Sequence, residues 1–159
     1  MTKWRSVGEV AELPSTLNKA ASDNDMTNSL KVLETCLYVD DLAGAERFYA
    51  DILGLVLVSR HADRHVFFQC GSTMLLLFDP AASSTLPSDV PAHGARGPGH
   101  VAFAISHDEI DPWTIRLAEH GVEIERHVHW PNGGRSIYFR DPAGNSLEFA
   151  TRDLWGLDA

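Results

Sequence analysis

Three side chains able to ligate a metal recur at matching places in this sequence. In LETCLYV, HVAFAI and SLEFA, read as strands, alternate side chains share a face. Leu33, Thr35, Leu37 and Val39 thereby separate from Glu34, Cys36 and Tyr38. Val101, Phe103 and Ile105 separate from His100, Ala102 and Ala104, and Leu147 and Phe149 from Ser146, Glu148 and Ala150. Each time one face is bulky and apolar, while the other carries one metal-competent residue among mostly small neighbours. A wall of Cys, Ala and Ser leaves space rather than filling it, as a cavity requires. Glu34, His100 and Glu148 would project into that space. A lone buried carboxylate is costly, whereas two carboxylates and an imidazole around a divalent cation offset one another's desolvation. Edge residues facing water are the plainer reading, and repetition on matching strands argues against it.

Other residues can join that chemistry. If residues 141–145 (DPAGN) make a hairpin turn, Arg140 faces Ser146 and Tyr138 faces Glu148. Ser136 and Tyr138 then point into the cavity, where a tyrosine can orient a substrate oxygen or donate a proton. Tyr138 and Glu148 are therefore the catalytic candidates. Cys36 and Tyr38, on the face of Glu34, are candidates for substrate contact with Ser136. His127 and His129 share a strand face and could also touch substrate. His61, His65, His93 and Arg96 read as solvated groups. The sequence contains no P-loop, Ser-His-Asp motif or dinucleotide fingerprint.

The elements that must position these groups form a repeated β-α-β-β-β pattern, which matters more than any single motif. The modules span 33–79 and 99–151, joined by a long linker, 80–98, holding four of the eight prolines and no helical or strand period. The first helix spans Leu42 to Leu53, with Asp40 or Asp41 as N-cap and Gly54 closing it. The second spans Pro112 to His120, with Asp111 as N-cap and Gly121 at the left-handed C-terminal position. The fold class is α+β: two such modules forming one domain over 31–159. Residues 1–30 read as a flexible N-terminal extension with one short helical spacing (Val7, Val10, Leu13, Leu17).

Length and charge bound the rest. The 159 residues suit one domain, and 44% apolar content suits a packed core. A net charge of −9 repels nucleic-acid phosphate and anionic lipid alike. No apolar run approaches the roughly 20 residues a bilayer demands. Two cysteines and no secretory signal point to a reducing cytoplasm.

LETCLYVDDLAGAERFYADILGLVLV, GPGHVAFAI and YFRDPAGNSLEF resemble the vicinal oxygen chelate superfamily, which includes glyoxalase I, extradiol dioxygenases, and fosfomycin and bleomycin resistance proteins. The resemblance covers about residues 33–151 and implies that the two modules form a curved mixed sheet around a metal cavity, with ligands on the first and last strand of each module. Glu34, His100 and Glu148 fall at three of these positions. The fourth falls in TMLLLF at Leu75 or Leu77, which cannot bind metal. The implied cofactor is a divalent ion (Mn, Fe, Ni, Co or Zn), the oxygen-rich set favouring Mn or Fe over structural zinc. The implied function is metal-dependent lyase, isomerase or ring-opening dioxygenase chemistry on a small substrate bound through two vicinal oxygens. Metal-free sequestration of the bleomycin-resistance type and thiol transfer to fosfomycin are the alternatives. HVHWPNGGR at 127–135 lacks the Lys- and Ser-rich potassium loop expected of the latter. Many relatives share the cavity between subunits, so a homodimer is expected, with Glu34 crossing to the partner's His100 and Glu148.

Overall fold

A computed structural model describes residues 29–85 and 90–157; most of the expected N-terminal extension, including its helical spacing, lies outside the described residues. Eight strands form two four-stranded sheets. The first contains β1 (Glu34–Tyr38), β2 (Val56–His61), β3 (His65–Cys70) and β4 (Thr73–Phe78) in the order β1-β4-β3-β2. The second contains β5 (His100–Ile105), β6 (Ile124–His129), β7 (Arg135–Arg140) and β8 (Ser146–Thr151) in the order β5-β8-β7-β6. In both sheets the first and last strands pair in parallel and the other pairs are antiparallel. The β-α-β-β-β repeat is thus present twice.

Helix α1 (Leu42–Arg47) starts where Asp41 Oδ1 accepts the Gly44 N–H at 2.9 Å. It widens into a π-turn over Phe48–Ile52, with the Leu53 N–H reaching the Phe48 carbonyl at 3.2 Å. Gly54, at φ +72°, closes it in the left-handed conformation that glycine adopts without steric penalty. The linker is not featureless: Asp79 caps a single turn, α2 (Pro80–Ser83), and the chain folds back so that the His93 N–H meets the Ser83 carbonyl at 3.1 Å.

Helix α3 (Ile110–Glu119) starts earlier than its sequence suggests. A turn of 3₁₀ helix, His107–Glu109, leads into it, and Ser106 rather than Asp111 is the capping residue. The Ser106 N–H and hydroxyl both donate to Glu109 Oε2, at 2.8 and 2.7 Å. Pro112 therefore sits inside the first turn, where a missing N–H costs no helical bond.

One apolar core serves both modules. Leu37, Phe68 and Leu77 of the first sheet, Val39 just after β1, and Ile137, Phe139, Leu147 and Phe149 of the second sheet join α1 and α3 residues in a single buried cluster. Leu33, assigned to this face by alternation, is 72% exposed because it precedes β1 at the open end of the sheet. Polar bonds tie the modules together. Asp141 Oδ2 accepts the Tyr49 hydroxyl at 2.9 Å, and Asn145 Nδ2 donates to the Tyr38 carbonyl at 3.1 Å. Within the second module, Asn145 Oδ1 also accepts the Gly99 N–H at 2.7 Å.

Candidate functional site

Residue register on the second sheet builds the site. The turn at 141–145 pairs Arg140 with Ser146 and Tyr138 with Glu148, while the parallel pairing sets Ala102 beside Glu148. Glu148 thus stands on a central strand between a small residue and a phenol, only 5% exposed. Its Oε1 accepts the Tyr138 hydroxyl at 2.9 Å, and its Oε2 lies 3.3 Å from His100 Nε2. His100 Nδ1 lies 3.0 Å from the Ser146 carbonyl. A carbonyl can only accept, so Nδ1 carries a proton, and Nε2 faces Glu148 either with a second proton or with its lone pair. Two acceptors this close repel unless a cation, either a proton or a metal ion, lies against both. The residues therefore fit a divalent cation. Burial, then the Glu148 hydrogen bond and charge, push the Tyr138 hydroxyl above its ordinary pKa, so it remains a proton donor at neutral pH.

His100, Tyr138 and Glu148 border a cavity of about 500 Å³ together with Trp130, Pro131, Asn132, Leu154 and Trp155. Glu34 is elsewhere. With Cys36 and Tyr38 it lines a separate pocket of about 590 Å³ on the first sheet, whose wall includes Phe67, Leu76 and His93. Among the described residues no group of three His, Cys, Asp or Glu assembles within one chain.

Several sequence assignments change. Cys36 pairs with Leu76 as Ala102 pairs with Glu148, so Leu76, and not Leu75 or Leu77, occupies the fourth ligand position. Leu75 and Leu77 face the core, at 2% and 0% exposure. His127 and His129 pair with Ile137 and Arg135, on the face opposite Ser136 and Tyr138, so they do not line the cavity. A bulge between Ile124 and Arg126 precedes them, and one extra residue exchanges the two faces of a strand. Ser136 is on the cavity side but fully buried, accepting the Trp130 indole N–H at 2.9 Å; it supports the wall rather than lining it. His93, read as solvated, joins the Tyr38 hydroxyl at 2.8 Å and packs edge-on against Phe78. His65 is half-buried in the same pocket. Trp130 and Trp155 were not identified from sequence, because neither lies in a stretch with a readable period.

The family model of the Glyoxalase/Bleomycin resistance protein/Dioxygenase superfamily matches residues 31–149, and the chain belongs to that superfamily. A solved lactoylglutathione lyase from Agrobacterium tumefaciens is 45% identical, with a TM-score of 0.78 over 80% of this chain and 97% of that one. Glutathione transferase FosA from Serratia marcescens is 30% identical over 74% of this chain and 78% of its own length. A metallothiol transferase FosB from Staphylococcus epidermidis is 31% identical over 75% and 80%. The match to an enzyme of this fold accords with metal-dependent lyase or isomerase chemistry. Among the described residues no helix is long and apolar enough to cross a membrane.

Proposed function

We propose that the protein is a divalent-metal-dependent lyase or isomerase acting on a small substrate that presents two vicinal oxygens. It works as a homodimer, in which Glu34 of one subunit joins His100 and Glu148 of the other. The approach of His100 Nε2 to Glu148 Oε2, 3.3 Å with the Nδ1 proton committed to a carbonyl, carries the reading. When bound, the ion supplies Lewis-acid stabilisation of charge developing on the substrate oxygens. His100 and Glu148 hold it, and the Ser146 carbonyl fixes the imidazole tautomer. Tyr138 fixes the Glu148 carboxylate and keeps a proton at its hydroxyl within reach of a substrate oxygen in the cavity. Glu34 has an open cavity face of its own and too few donors beside it to close a site alone, which supports its use by a second subunit.

Thiol transfer is the second reading, favoured by the names of the curated relatives. Consumption of a thiol during turnover would select it. The test of the first reading is metal content and affinity, measured by elemental analysis and calorimetry on protein purified without chelating resin. His100→Ala and Glu148→Gln should each weaken binding at least ~10-fold, the low end of what losing even an outer-shell partner costs. Unchanged affinity in both variants would exclude the site.

A further inference from the structure

The cavity beside His100 and Glu148 is built in a way that metal binding alone does not require. Two indoles, Trp130 and Trp155, stand at its border with Pro131 and Leu154, and their supports are fastened. Trp130 is held by its N–H bond to buried Ser136, and its backbone closes the turn through the Gly134 carbonyl at 2.8 Å. The 3₁₀ turn that carries the other ring, Arg152–Trp155, is clamped from two sides. Asn132 Nδ2 donates to the carbonyls of Asp153 and Leu154, at 3.0 and 2.9 Å, and His107 Nε2 meets Asp153 Oδ2 at 2.9 Å. Gly134 permits this approach, since a Cβ there would come within 2.9 Å of Leu154 Cα. Yet Trp155 is 78% exposed. An indole on a clamped turn that the core does not bury, bordering a cavity that also holds a carboxylate, is available to a ligand. Among the described residues bordering the cavity there is no Lys or Arg.

We infer that the substrate carries its two oxygens on a planar apolar body, an aryl or fused-ring group, which seats against Trp130 and Trp155. The oxygen pair rests on the metal reading above; the seat for the body rests on different residues. Offset or edge-on stacking against two indoles favours a flat aromatic over an aliphatic body of the same chelating power.

Two hydroxamates test this, because acetohydroxamate and 2-naphthohydroxamate offer the same pair of oxygens on different bodies. Titrated into the full-length, metal-loaded protein, the naphthyl compound should bind at least about tenfold more tightly and quench tryptophan emission. Trp130→Leu and Trp155→Ala should each cut that preference by at least about threefold while leaving metal affinity as in the parent. Equal affinities for the two compounds, or a preference that survives both variants, would overturn the inference. A third arm separates it from the metal reading: 2-naphthylmethanol, which lacks the chelating pair, should still quench the metal-free protein, and Trp155→Ala should weaken the effect. That result supports the aromatic seat even if the metal site fails; no quenching in this arm counts against the seat even if metal binds.

Discussion

Replacing Asn145 by alanine should cost this protein a large part of its stability, because a single buried amide joins three parts of the chain. Asn145 is 1% exposed. Its side chain accepts from Gly99 N–H at 2.7 Å and donates to Asp141 Oδ2 at 2.8 Å and to the Tyr38 carbonyl at 3.1 Å. Three lost bonds at about 1 kcal/mol net each come to roughly 3 kcal/mol, and a Gly99 N–H or Tyr38 carbonyl left without a partner raises the cost to about 3–5 kcal/mol. A domain of this size commonly has about 5–15 kcal/mol in total, so the melting temperature should fall by roughly 10–15 °C. Equilibrium urea unfolding measures the loss directly, with the slope confirming that the same surface is exposed. Asn145→Asp is the informative companion. It is nearly isosteric and keeps an acceptor for Gly99, yet sets a second carboxylate against Asp141 and removes the donor to Tyr38, so it should be no more stable than the alanine variant. A loss below about 1 kcal/mol in Asn145→Ala would refute the view that this amide locks the two modules together.

The other expectations are smaller. Ser106→Ala removes the hydroxyl that donates to Glu109 Oε2 before α3 and should cost about 1 kcal/mol in the same unfolding assay. Gly134→Ala should displace the Arg152–Trp155 turn, because the new methyl meets Leu154 backbone atoms at 2.9 and 3.0 Å; near-ultraviolet circular dichroism of Trp155 would report the shift. Burial, then His61 and Arg64, hold the His65 pKa below its ordinary value of 6.5, so the folded state prefers the neutral ring. Stability from this group is complete above about 6.5 and declines as pH falls through that value, where only the unfolded chain takes up the proton. Unfolding free energies at several pH values between about 7.5 and 5.5 should show a gentler acid-side decline in His65→Phe than in the parent.

Much of this architecture is legible because alternation and end signals agree. The alternating faces of β5 and β8 place His100 and Glu148 correctly, and DPAGN fixes the hairpin that brings Tyr138 to Glu148. The fourth ligand position lies one residue from either expected leucine for a physical reason. Strand β4 is central, and Leu75, Leu76, Leu77 and Phe78 are all buried, so TMLLLF has no polar face from which to read a period. The β6 histidines follow a bulge that resets their side of the sheet, and nothing in HVH reveals it. His93 and Trp155 depend on contacts distant in sequence: His93 with Tyr38, 55 residues away, and the Trp155 turn with Asn132. Such pairings arise from the folded chain and leave no local pattern. The proposed partnership of Glu34 with His100 and Glu148 is a further step again, since it would join two chains.

That partnership is tested most directly by mixing. Glu34→Ala and His100→Ala chains, carrying different affinity tags, are unfolded together, refolded and purified as the heterodimer, and bound metal is counted by elemental analysis. If ligands cross between subunits, one pocket loses both Glu34 and His100 while the other keeps Glu34, His100 and Glu148 intact. The heterodimer should then hold one metal ion at the affinity of the parent, whereas each variant homodimer binds weakly. A heterodimer that binds no better than the two homodimers, or a parent protein that is fully loaded as a monomer, would contradict the shared site.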